Sequence, residues 1–278
     1  MSEATVSQAL RAATDRLAAT SDTARLDAEL LMAHALGVSR SDMLIRHQND
    51  EVPEGFEALI ARREQHEPVA HITGFQEFYG RPFAVTQDTL IPRGDSEVLI
   101  ETALELAPKA ERVLDLGTGS GALLITALLE LKGASGFGID ASGRTLDVAE
   151  RNAQTHGLIG ARARFALRDW TRPGWAHDLG RFDLVLCNPP YVEAGAKLDA
   201  DVRDFEPARA LFAGEDGLDD YRVLFPQLAG LLNQKGVAIF EIGHRQAQMV
   251  SKVAQIHGFT TEIREDLAKR PRAVVCRP

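Results

Sequence analysis

The sequence predicts an α/β fold in which a mostly parallel, seven-stranded sheet carries helices on both faces, preceded by a small helical domain. Three observations lead to this prediction. Residues 1–66 show only helical periodicity, strands and helices alternate from about residue 93 onward, and polar or glycine residues directly follow four of the strands. Such alternation is typical of parallel sheets, because parallel strands need crossover connections. A chain of 278 residues is long enough for both domains.

Residues 1–68 are predicted to form a helical bundle. The first helix follows from apolar residues at spacings of four, three and four, namely Val6, Leu10, Ala13 and Leu17. Three more helices are expected from their end signals: one capped by Ser21-Asp22 and stopped by Gly37, one capped by Ser41-Asp42, and one starting at Pro53-Glu54. The residues leave open whether this domain serves packing and solubility or docks a protein substrate.

Residues 69–92 are predicted to form a β-hairpin that links the helical domain to the sheet domain. Gly74, Gly80 and Pro82 interrupt short apolar segments around 75–79 and 83–85. Glycine and proline residues between short apolar segments are typical of short strands joined by turns.

The sheet domain, residues 93–278, is predicted from alternating segments. Strands are expected at 113–116, 136–139, 164–167, 182–187, 237–241, 260–263 and 273–276, and helices at 95–107, 122–129, 144–156 and ending at 257. Ligands bind at the carboxyl ends of the strands in such folds. Four clusters follow strand ends here, at 115–121, 140, 169–170 and 188–191. The sequence therefore predicts one ligand site at one edge of the sheet.

A glycine-rich loop follows the first strand of this sheet. Gly117, Gly119 and Gly121 allow a tight turn and let a ligand approach backbone N–H groups closely. Asp140 follows the next strand, 25 positions after Asp115, near the usual interval for an acid that binds ribose hydroxyls. A dinucleotide-binding loop would instead read G-x-G-x-x-G, and an acid at its entrance would repel pyrophosphate. S-adenosylmethionine carries a sulfonium and an ammonium, which an acid favours.

The segment Asn188-Pro189-Pro190-Tyr191 directly follows the apolar strand at 182–187. Two consecutive prolines cannot continue a helix or a central strand, and each holds the preceding residue extended. The loop therefore offers one side-chain amide, unpaired backbone carbonyls and an aromatic face, which suit a planar target with an NH2 group. An ordinary tight turn is the alternative for this segment alone. The glycine loop and Asp140 upstream favour the functional interpretation.

Together these segments resemble class I S-adenosylmethionine-dependent methyltransferases that methylate planar amino or amide nitrogens. Further matches lie at 67–74, 78–83, 90–93, 202–207, 216–218 with Tyr221, and 241–243. With them the chain resembles, over nearly its whole length, the PrmC/HemK family of protein-glutamine methyltransferases that act on peptide chain release factors. One segment departs from the family. Where the family usually reads Ile-Pro-Arg-Pro-Glu-Thr-Glu, this chain has Ile91-Pro92-Arg93-Gly94-Asp95-Ser96-Glu97.

The resemblance implies a Rossmann-like class I methyltransferase domain at 93–278 and a release-factor docking role for residues 1–68. It implies S-adenosylmethionine as cofactor, held by Asp115, Gly117, Thr118, Gly119, Ser120, Gly121, Asp140, Asp169, Trp170 and Asn188. In that site Asp115 would favour the ammonium group, directly or through water. Asp140 would accept hydrogen bonds from the ribose, and Asp169 would accept one from the adenine amine, with Trp170 against the ring. A loop acid without a ligand is the alternative for Asp169.

The same resemblance assigns methyl transfer to the loop at 188–191, with Asn188, Pro189 and Tyr191 as catalytic residues. The Asn188 side-chain oxygen and the Pro189 carbonyl would hold both N–H groups of a glutamine amide and aim its nitrogen at the methyl group. Tyr191 would cover the amide plane, and Pro190 would complete the substrate-binding loop. The substrate implied is the glutamine of the Gly-Gly-Gln tripeptide in class 1 release factors.

The composition is that of a soluble globular protein, with 45% hydrophobic and 26% charged residues. We expect no secretory signal, because no basic start precedes an apolar core, and no membrane span. Cys187 and Cys276 are the only cysteines, which fits a reducing cytoplasm, and the eight histidines lack ligand spacing, so no metal site is expected.

The charge distribution favours a protein substrate. Residues 1–92 carry 8 arginines, no lysine and 14 acidic residues within a total net charge of −9. Proteins that bind nucleic acids usually present a basic face to the phosphates. A rival function with a similar loop, an adenine-N6 or guanine-N2 methyltransferase on DNA or RNA, is therefore disfavoured. A non-catalytic binding module is disfavoured by the intact Asp140 and loop at 188–191. We expect a cytoplasmic, monomeric enzyme with no nucleic-acid or membrane partner.

Overall fold

The computed structural model describes residues 4–158, 160 and 162–278. Contacts divide the chain into two compact units. The first comprises residues up to Phe75 together with Leu198–Phe205, and the second comprises Gln76–Lys197 together with Glu206–Pro278. The domain boundaries predicted at residues 68 and 92 stay a prediction.

Helices and strands follow one another along the chain in this order. They are α1 (Val6–Leu17), α2 (Ala24–Leu36), α3 (Arg40–Arg46), α4 (Phe56–Glu64), α5 (Val69–Thr73), β1 (Phe75–Phe78), β2 (Arg81–Ala84), α6 (Glu97–Leu106), β3 (Arg112–Leu116), α7 (Ala122–Glu130), β4 (Ser135–Asp140), α8 (Gly143–Thr155), β5 (Ala163–Leu167), β6 (Phe182–Cys187), α9 (Ala200–Phe205), α10 (Asp219–Leu231), β7 (Leu232–Glu241), α11 (Ala247–Ile256), β8 (Thr260–Glu265) and β9 (Pro271–Arg277).

The first unit is helical, as predicted. The apolar residues that predicted α1 are all buried in its core: Val6, Leu10, Ala13 and Leu17. Thr5 and Gln8 satisfy each other's backbone N–H groups in a capping box that begins this helix. Arg63 is buried in this unit, with Asp27 at 2.7 Å and Asp201 of α9 at 4.0 Å. The segment 198–205 therefore has a charged contact inside the first unit.

Four local predictions in the first unit are wrong. The residue before α2 is Thr23, without a side-chain cap hydrogen bond, and not the predicted cap Ser21-Asp22. Helix α4 begins at Phe56, after Gly55, and not at Pro53-Glu54. The cap of α3 is Ser39, whose hydroxyl accepts the backbone N–H of Asp42, and not Ser41-Asp42. Ser39 is extended, and an N-cap needs this conformation. Residues Val69–Thr73, predicted within a hairpin, form the short helix α5, which ends at Gly74 in the left-handed region. Strands β1 and β2 do form a two-stranded sheet, around Gly80.

The second unit contains the predicted seven-stranded sheet. Its strand order is β5-β4-β3-β6-β7-β9-β8. The pairs from β5 to β7 are parallel, whereas β9 pairs antiparallel with both β7 and β8. Apolar side chains form a separate core on each face of the sheet, so the strands are buried on both sides. The prediction of a mostly parallel sheet covered by helices is confirmed.

The direction of the chain reverses at the centre of the sheet. From β3 it runs outward through β4 to β5, and it then returns to pair β6 with the other side of β3. Leu116 at the end of β3 lies opposite Ile139 on one side and Cys187 on the other. The loops that begin at Gly117, Asp140 and Asn188 therefore leave the sheet side by side. Such a switch point is where open α/β sheets bind ligands.

Helix α10 was not predicted. It contains Pro226. Proline lacks a backbone N–H donor and normally interrupts a helix, so the helical spacing of the apolar residues around it was not recognised in the sequence. Its apolar residues nevertheless lie in one core, including Tyr221, Leu224, Phe225 and Leu228. In the part of the chain that the structure describes, no helix combines the length and apolar character needed to cross a membrane.

Candidate active site

A cavity of about 340 Å³ lies at the carboxyl ends of β3, β4 and β6. Members of all four clusters expected from the sequence line it: Gly117, Thr118, Gly119, Ser120, Asp140, Asp169, Trp170, Asn188 and Pro190. Its size is that of a small-molecule site. The charged side chains in its described wall are four carboxylates and two guanidiniums, from Asp88, Asp140, Asp169, Asp220, Arg93 and Arg209. The cavity thus suits a ligand that carries positive charge.

The glycine loop forms one wall of the cavity. Gly117 has a φ of 74°, and a Cβ there would lie 3.1 Å from the indole ring of Trp170. Gly121 has a φ of 82°, and a Cβ there would lie 2.8 Å from Ile125 Cδ1. Gly117 therefore keeps space at the cavity wall. Gly121 is not among the described lining residues, and it allows the loop to pack tightly against the helix that follows.

Asp115 lies completely buried beneath the glycine loop and outside the described lining of the cavity. Its Oδ2 accepts the Thr118 hydroxyl at 2.7 Å, and its Oδ1 has no hydrogen-bond partner among the described residues. Burial raises the pKa of this carboxyl to about 7, although the Thr118 hydroxyl and the Leu124 amide oppose the shift. The predicted effect of Asp115 on an ammonium group stays a prediction, and Asp115 itself does not belong to the described lining of the cavity.

Asp140 ends β4 and lines the cavity. Its two oxygens accept backbone N–H groups, from Gly119 at 3.2 Å and from Ser142 at 3.0 Å. Burial raises its pKa, and these amides together with the positive charge of Arg209 oppose that shift. Each carboxylate oxygen can accept a further hydrogen bond. The side chain is therefore held in place with acceptor capacity left for a diol.

Trp170 and Asp169 lie at the end of the cavity beyond β5. The Trp170 indole N–H donates to Oδ1 of Asp220 at 2.7 Å, which fixes the ring beside Gly117. Asp169 Oδ1 accepts both the N–H and the hydroxyl of Thr171, and the hydroxyl is the main reason that the pKa of this carboxyl is lowered. Trp170 is therefore part of a rigid wall. Asp169 is an ionised acceptor, and its Oδ2 lies 3.4 Å from Nε of Arg172.

Asn188 and Pro190 line the cavity beside Gly117. Among the described residues, nothing donates or accepts a hydrogen bond to the Asn188 side chain or to the Pro189 carbonyl. Pro189 and Tyr191 are outside the described lining of this cavity. The loop thus presents a free side-chain amide on a backbone that two prolines make stiff.

Tyr191 faces a second cavity of about 400 Å³, lined by Arg93, Gly94, Asp95, Tyr191, Glu241 and Arg272. Its backbone N–H donates to Leu211, and its carbonyl accepts the Gln246 side chain at 2.9 Å. Gly217 has a φ of 70°, and a Cβ there would lie only 2.3 Å from the Tyr191 carbonyl oxygen. The loop at 188–191 therefore separates the two cavities, and Arg93 lines both of them.

The segment that departs from the family pattern is tied down at each polar residue. Asp95 accepts Arg272 at 2.6 Å, Ser96 donates to Glu241 at 2.5 Å, and Glu97 accepts the backbone N–H of Tyr79 at 2.8 Å. The acidic and hydroxyl side chains that this segment shares with the family pattern, Asp95, Ser96 and Glu97, therefore each have a defined hydrogen-bond partner. Arg93 is paired with Glu206, which also accepts the Ile91 N–H at 3.3 Å.

Sequence reasoning did not name several residues of the two cavities as site residues, among them Asp220, Glu241 and Arg209. Asp220 lies on the unpredicted helix α10, so no signal pointed to it. Glu241 ends β7, and its position after an apolar strand was a usable signal. Arg209 lines the first cavity and donates to the Thr145 hydroxyl at 2.7 Å. Arg209 follows the segment at 202–207 that resembles the family, and no sequence pattern around it indicates a role in the site.

Comparisons with known proteins agree with these features. Residues 8–74 match the PrmC N-terminal domain, and residues 108–239 match a methyltransferase domain. A release factor glutamine methyltransferase of Rhodospirillum rubrum is 42% identical over 260 residues, which cover 91% of this chain and 78% of that protein. Another from Cereibacter sphaeroides is 40% identical over 276 residues, which cover 97% of each chain.

A solved methyltransferase from Pyrococcus furiosus has the same fold. The TM-score is 0.53 at 14% identity, and the match covers 71% of this chain and 89% of that chain. At this identity the likeness concerns the fold alone. The methyltransferase fold predicted from the sequence is confirmed.

Proposed function

Since this chain belongs to the family of release factor glutamine methyltransferases, we propose that it methylates the side-chain amide nitrogen of a glutamine in peptide chain release factors. The target is the glutamine of the Gly-Gly-Gln tripeptide, and the methyl donor is S-adenosylmethionine. The observation that carries this proposal is the free amide of Asn188, held on a stiff loop at the wall of the acidic cavity.

The residues of the cavity fit S-adenosylmethionine. Asp140 has acceptor capacity for the two ribose hydroxyls, and the absence of a side chain at Gly117 leaves space beside the Trp170 ring. The wall carries two more negative than positive groups, which favours a sulfonium and an ammonium. Asp169 and Ser120 contribute acceptors in the same wall. When bound, this cofactor supplies a methyl group activated by a positively charged sulfur.

Asn188 and Pro189 orient the substrate amide. An amide nitrogen is a poor nucleophile, because its lone pair is delocalised into the carbonyl. Two acceptor oxygens, Asn188 Oδ1 and the Pro189 carbonyl, can each take one N–H of the glutamine NH2 group. These contacts fix the direction of the nitrogen and favour the positive charge that grows on it during transfer. No strong base is required, since the proton can leave after the methyl group has been transferred.

Tyr191 and Pro190 complete the substrate-binding part of the loop. Pro190 lines the cofactor cavity, and Tyr191 lines the second one. With the amide held between Asn188 and the cofactor, the Tyr191 ring can cover the amide plane from the side of the second cavity. The remainder of the substrate polypeptide then approaches from that side.

The proposal is tested by incubating the purified protein with methyl-labelled cofactor and, in parallel, release factor, tRNA, rRNA and DNA. We expect label in the release factor alone, insensitive to nuclease, and located on the tripeptide glutamine by peptide mass spectrometry. A variant release factor with that glutamine replaced by alanine is the matched control. Label found only in nucleic acid would support the adenine or guanine methyltransferase instead.

A further inference from the structure

Glu241 brings two separate segments of the second unit to one point. Its Oε2 accepts the Ser96 hydroxyl at 2.5 Å, and its Oε1 accepts the Tyr191 hydroxyl at 3.3 Å. Ser96 belongs to the loop that also carries Arg93, whereas Tyr191 ends the loop of Asn188. Glu241 is only 1% exposed and lies at the end of the interior strand β7. Its place in the backbone is fixed as well, because the Tyr221 hydroxyl donates to its carbonyl at 2.6 Å.

No cation forms an ion pair with this carboxylate within the described part of the chain. The charged and titratable groups that face it come from every neighbouring element: Arg272 of β9, Asp95 and Ser96 before α6, Tyr191 after β6, Cys187 of β6 and Tyr221 of α10. Burial raises the pKa of Glu241 to about 7, opposed by the Ser96 hydroxyl first and then by Arg272 and Tyr191. A buried carboxylate without a paired cation is costly unless hydrogen bonds compensate it, and here both of its oxygens accept a hydroxyl group.

We infer that Glu241 is a positioning residue for methyl transfer, which holds the Tyr191 ring against the substrate amide through the Tyr191 hydroxyl and fixes the Arg93 loop through Ser96. This inference rests on the proposed function, because it concerns where the substrate amide lies. Two oxygens that accept from two hydroxyls make the arrangement specific for an ionised carboxylate. A protonated carboxyl or an amide retains one good acceptor oxygen, so one of the two hydroxyls loses its acceptor and has to turn to accept a hydrogen bond instead.

The contact between Glu241 and Tyr191 lies apart from the cofactor site. Tyr191 and Glu241 line the second cavity and are outside the described lining of the first, whereas Ser96 lines the first. Loss of Glu241 should therefore act on turnover of the release factor and spare cofactor affinity. A purely structural role would lower stability and cofactor binding alike.

The test is a double-mutant cycle with Glu241→Gln and Tyr191→Phe, measured as kcat/KM for release factor. Each variant should lose about 10- to 100-fold, as expected for a hydrogen bond to a charged group. The double variant should lose no more than the worse single one, and cofactor affinity should stay within about twofold. The inference would be overturned if the losses of the two single variants multiplied in the double variant. Normal activity in either single variant, or a loss of cofactor affinity as large as the loss of activity, would overturn it as well.

A pH profile adds a readout that a structural role does not move. In the wild type, kcat/KM should fall as the pH drops below about 7, because Glu241 takes up a proton and the Tyr191 hydroxyl loses its acceptor. Tyr191→Phe should flatten this part of the profile, which keeps the test decisive if Glu241→Gln does not fold. A fall of the same size in Tyr191→Phe would contradict the inference.

The hydrogen bond can also be tested without substrate. The chain has only three tyrosines, so the 13Cζ resonance of Tyr191 can be assigned by comparison with Tyr191→Phe. It should titrate near pH 7 in the wild type and not in Glu241→Gln. A resonance that does not titrate overturns the role of Glu241 and leaves the proposed function standing. A wild-type protein that methylates no release factor overturns the proposed function itself.

Discussion

The indole N–H of Trp170 donates to Oδ1 of Asp220 across 2.7 Å, and this bond joins the loop after β5 to the start of α10. The ring is thereby held where a Cβ at Gly117 would lie 3.1 Å from it, a tight contact that glycine avoids. Burial raises the pKa of Asp220, with the Trp170 N–H opposing the shift. The flat wall of the cofactor cavity thus depends on a residue in a different part of the chain.

Asp220→Ala should weaken S-adenosylmethionine binding about 10-fold, because the Trp170 ring loses the partner that orients it, and a hydrogen bond to a partly buried charged group contributes about 1.5 kcal/mol. Isothermal titration calorimetry measures this directly. The neighbouring Asp219, which pairs with Arg222 at the surface, supplies the matched control, and Asp219→Ala should bind normally. Equal affinity in both variants would show that Asp220 does not shape the site.

The stability of the ligand-free protein should decline with rising pH because of Asp115. Its pKa of about 7 in the folded state lies above the ordinary value of 3.8. Between these values the folded state keeps a proton that the unfolded state releases, so the free energy of unfolding falls as the pH rises from about 4 to about 7. Glu241, with a raised pKa as well, adds an effect of the same sign.

Urea denaturation at pH 5 and pH 8 measures this decline. In Asp115→Asn the decline should be smaller by roughly 1–3 kcal/mol, since each unit of pKa difference corresponds to about 1.4 kcal/mol. The exposed Asp147→Asn is the control and should decline as the wild type does. An identical decline in Asp115→Asn and wild type would mean that Asp115 is already ionised at pH 5.

Gly94→Pro, which restores the residue usual in the family, should raise the free energy of unfolding by about 0.4–1 kcal/mol. A Cβ at Gly94 would meet no atom within 4 Å, and the preceding Arg93 has a φ of −102° and a ψ of 141°, which suit a following proline. Gly217→Ala is the contrasting variant and should be destabilised, because its Cβ would lie 2.3 Å from the Tyr191 oxygen. Thermal unfolding of both, with methylation activity, checks this. Lower stability of Gly94→Pro would indicate that the loop needs its glycine.

The sequence predicted the elements whose signals are local. Strand β3 and its glycine loop, Asp140 after β4, and the loop after β6 carry their own patterns, and parallel pairing brings their ends together at one edge. Contacts between distant segments were not predictable in this way. Asp220 reaches Trp170 from an unpredicted helix, and Glu241 joins Ser96 to Tyr191 across 145 and 50 positions of sequence. Ser39 was missed as a cap because three candidates, Ser39, Ser41 and Asp42, lie within four positions of one another.

Asn188 carries the central claim, that a free amide on a stiff loop holds the substrate NH2 group. Asn188→Ala should leave the fold and most of the cofactor affinity intact, because the glycine loop and Asp140 are unchanged. Asn188→Asp is the matched control, since it keeps an acceptor oxygen and adds a negative charge. If an acceptor alone positions the amide, the Asp variant should keep more activity than the Ala variant.

Single-turnover methylation of release factor at saturating cofactor, measured for wild type, Asn188→Ala and Asn188→Asp, tests this claim most directly. The rate in Asn188→Ala should fall by about 10²- to 10³-fold, by analogy with the loss of one preorganised polar contact to a developing charge. A rate close to that of the wild type in Asn188→Ala would show that Asn188 is structural and that the amide is held by other groups.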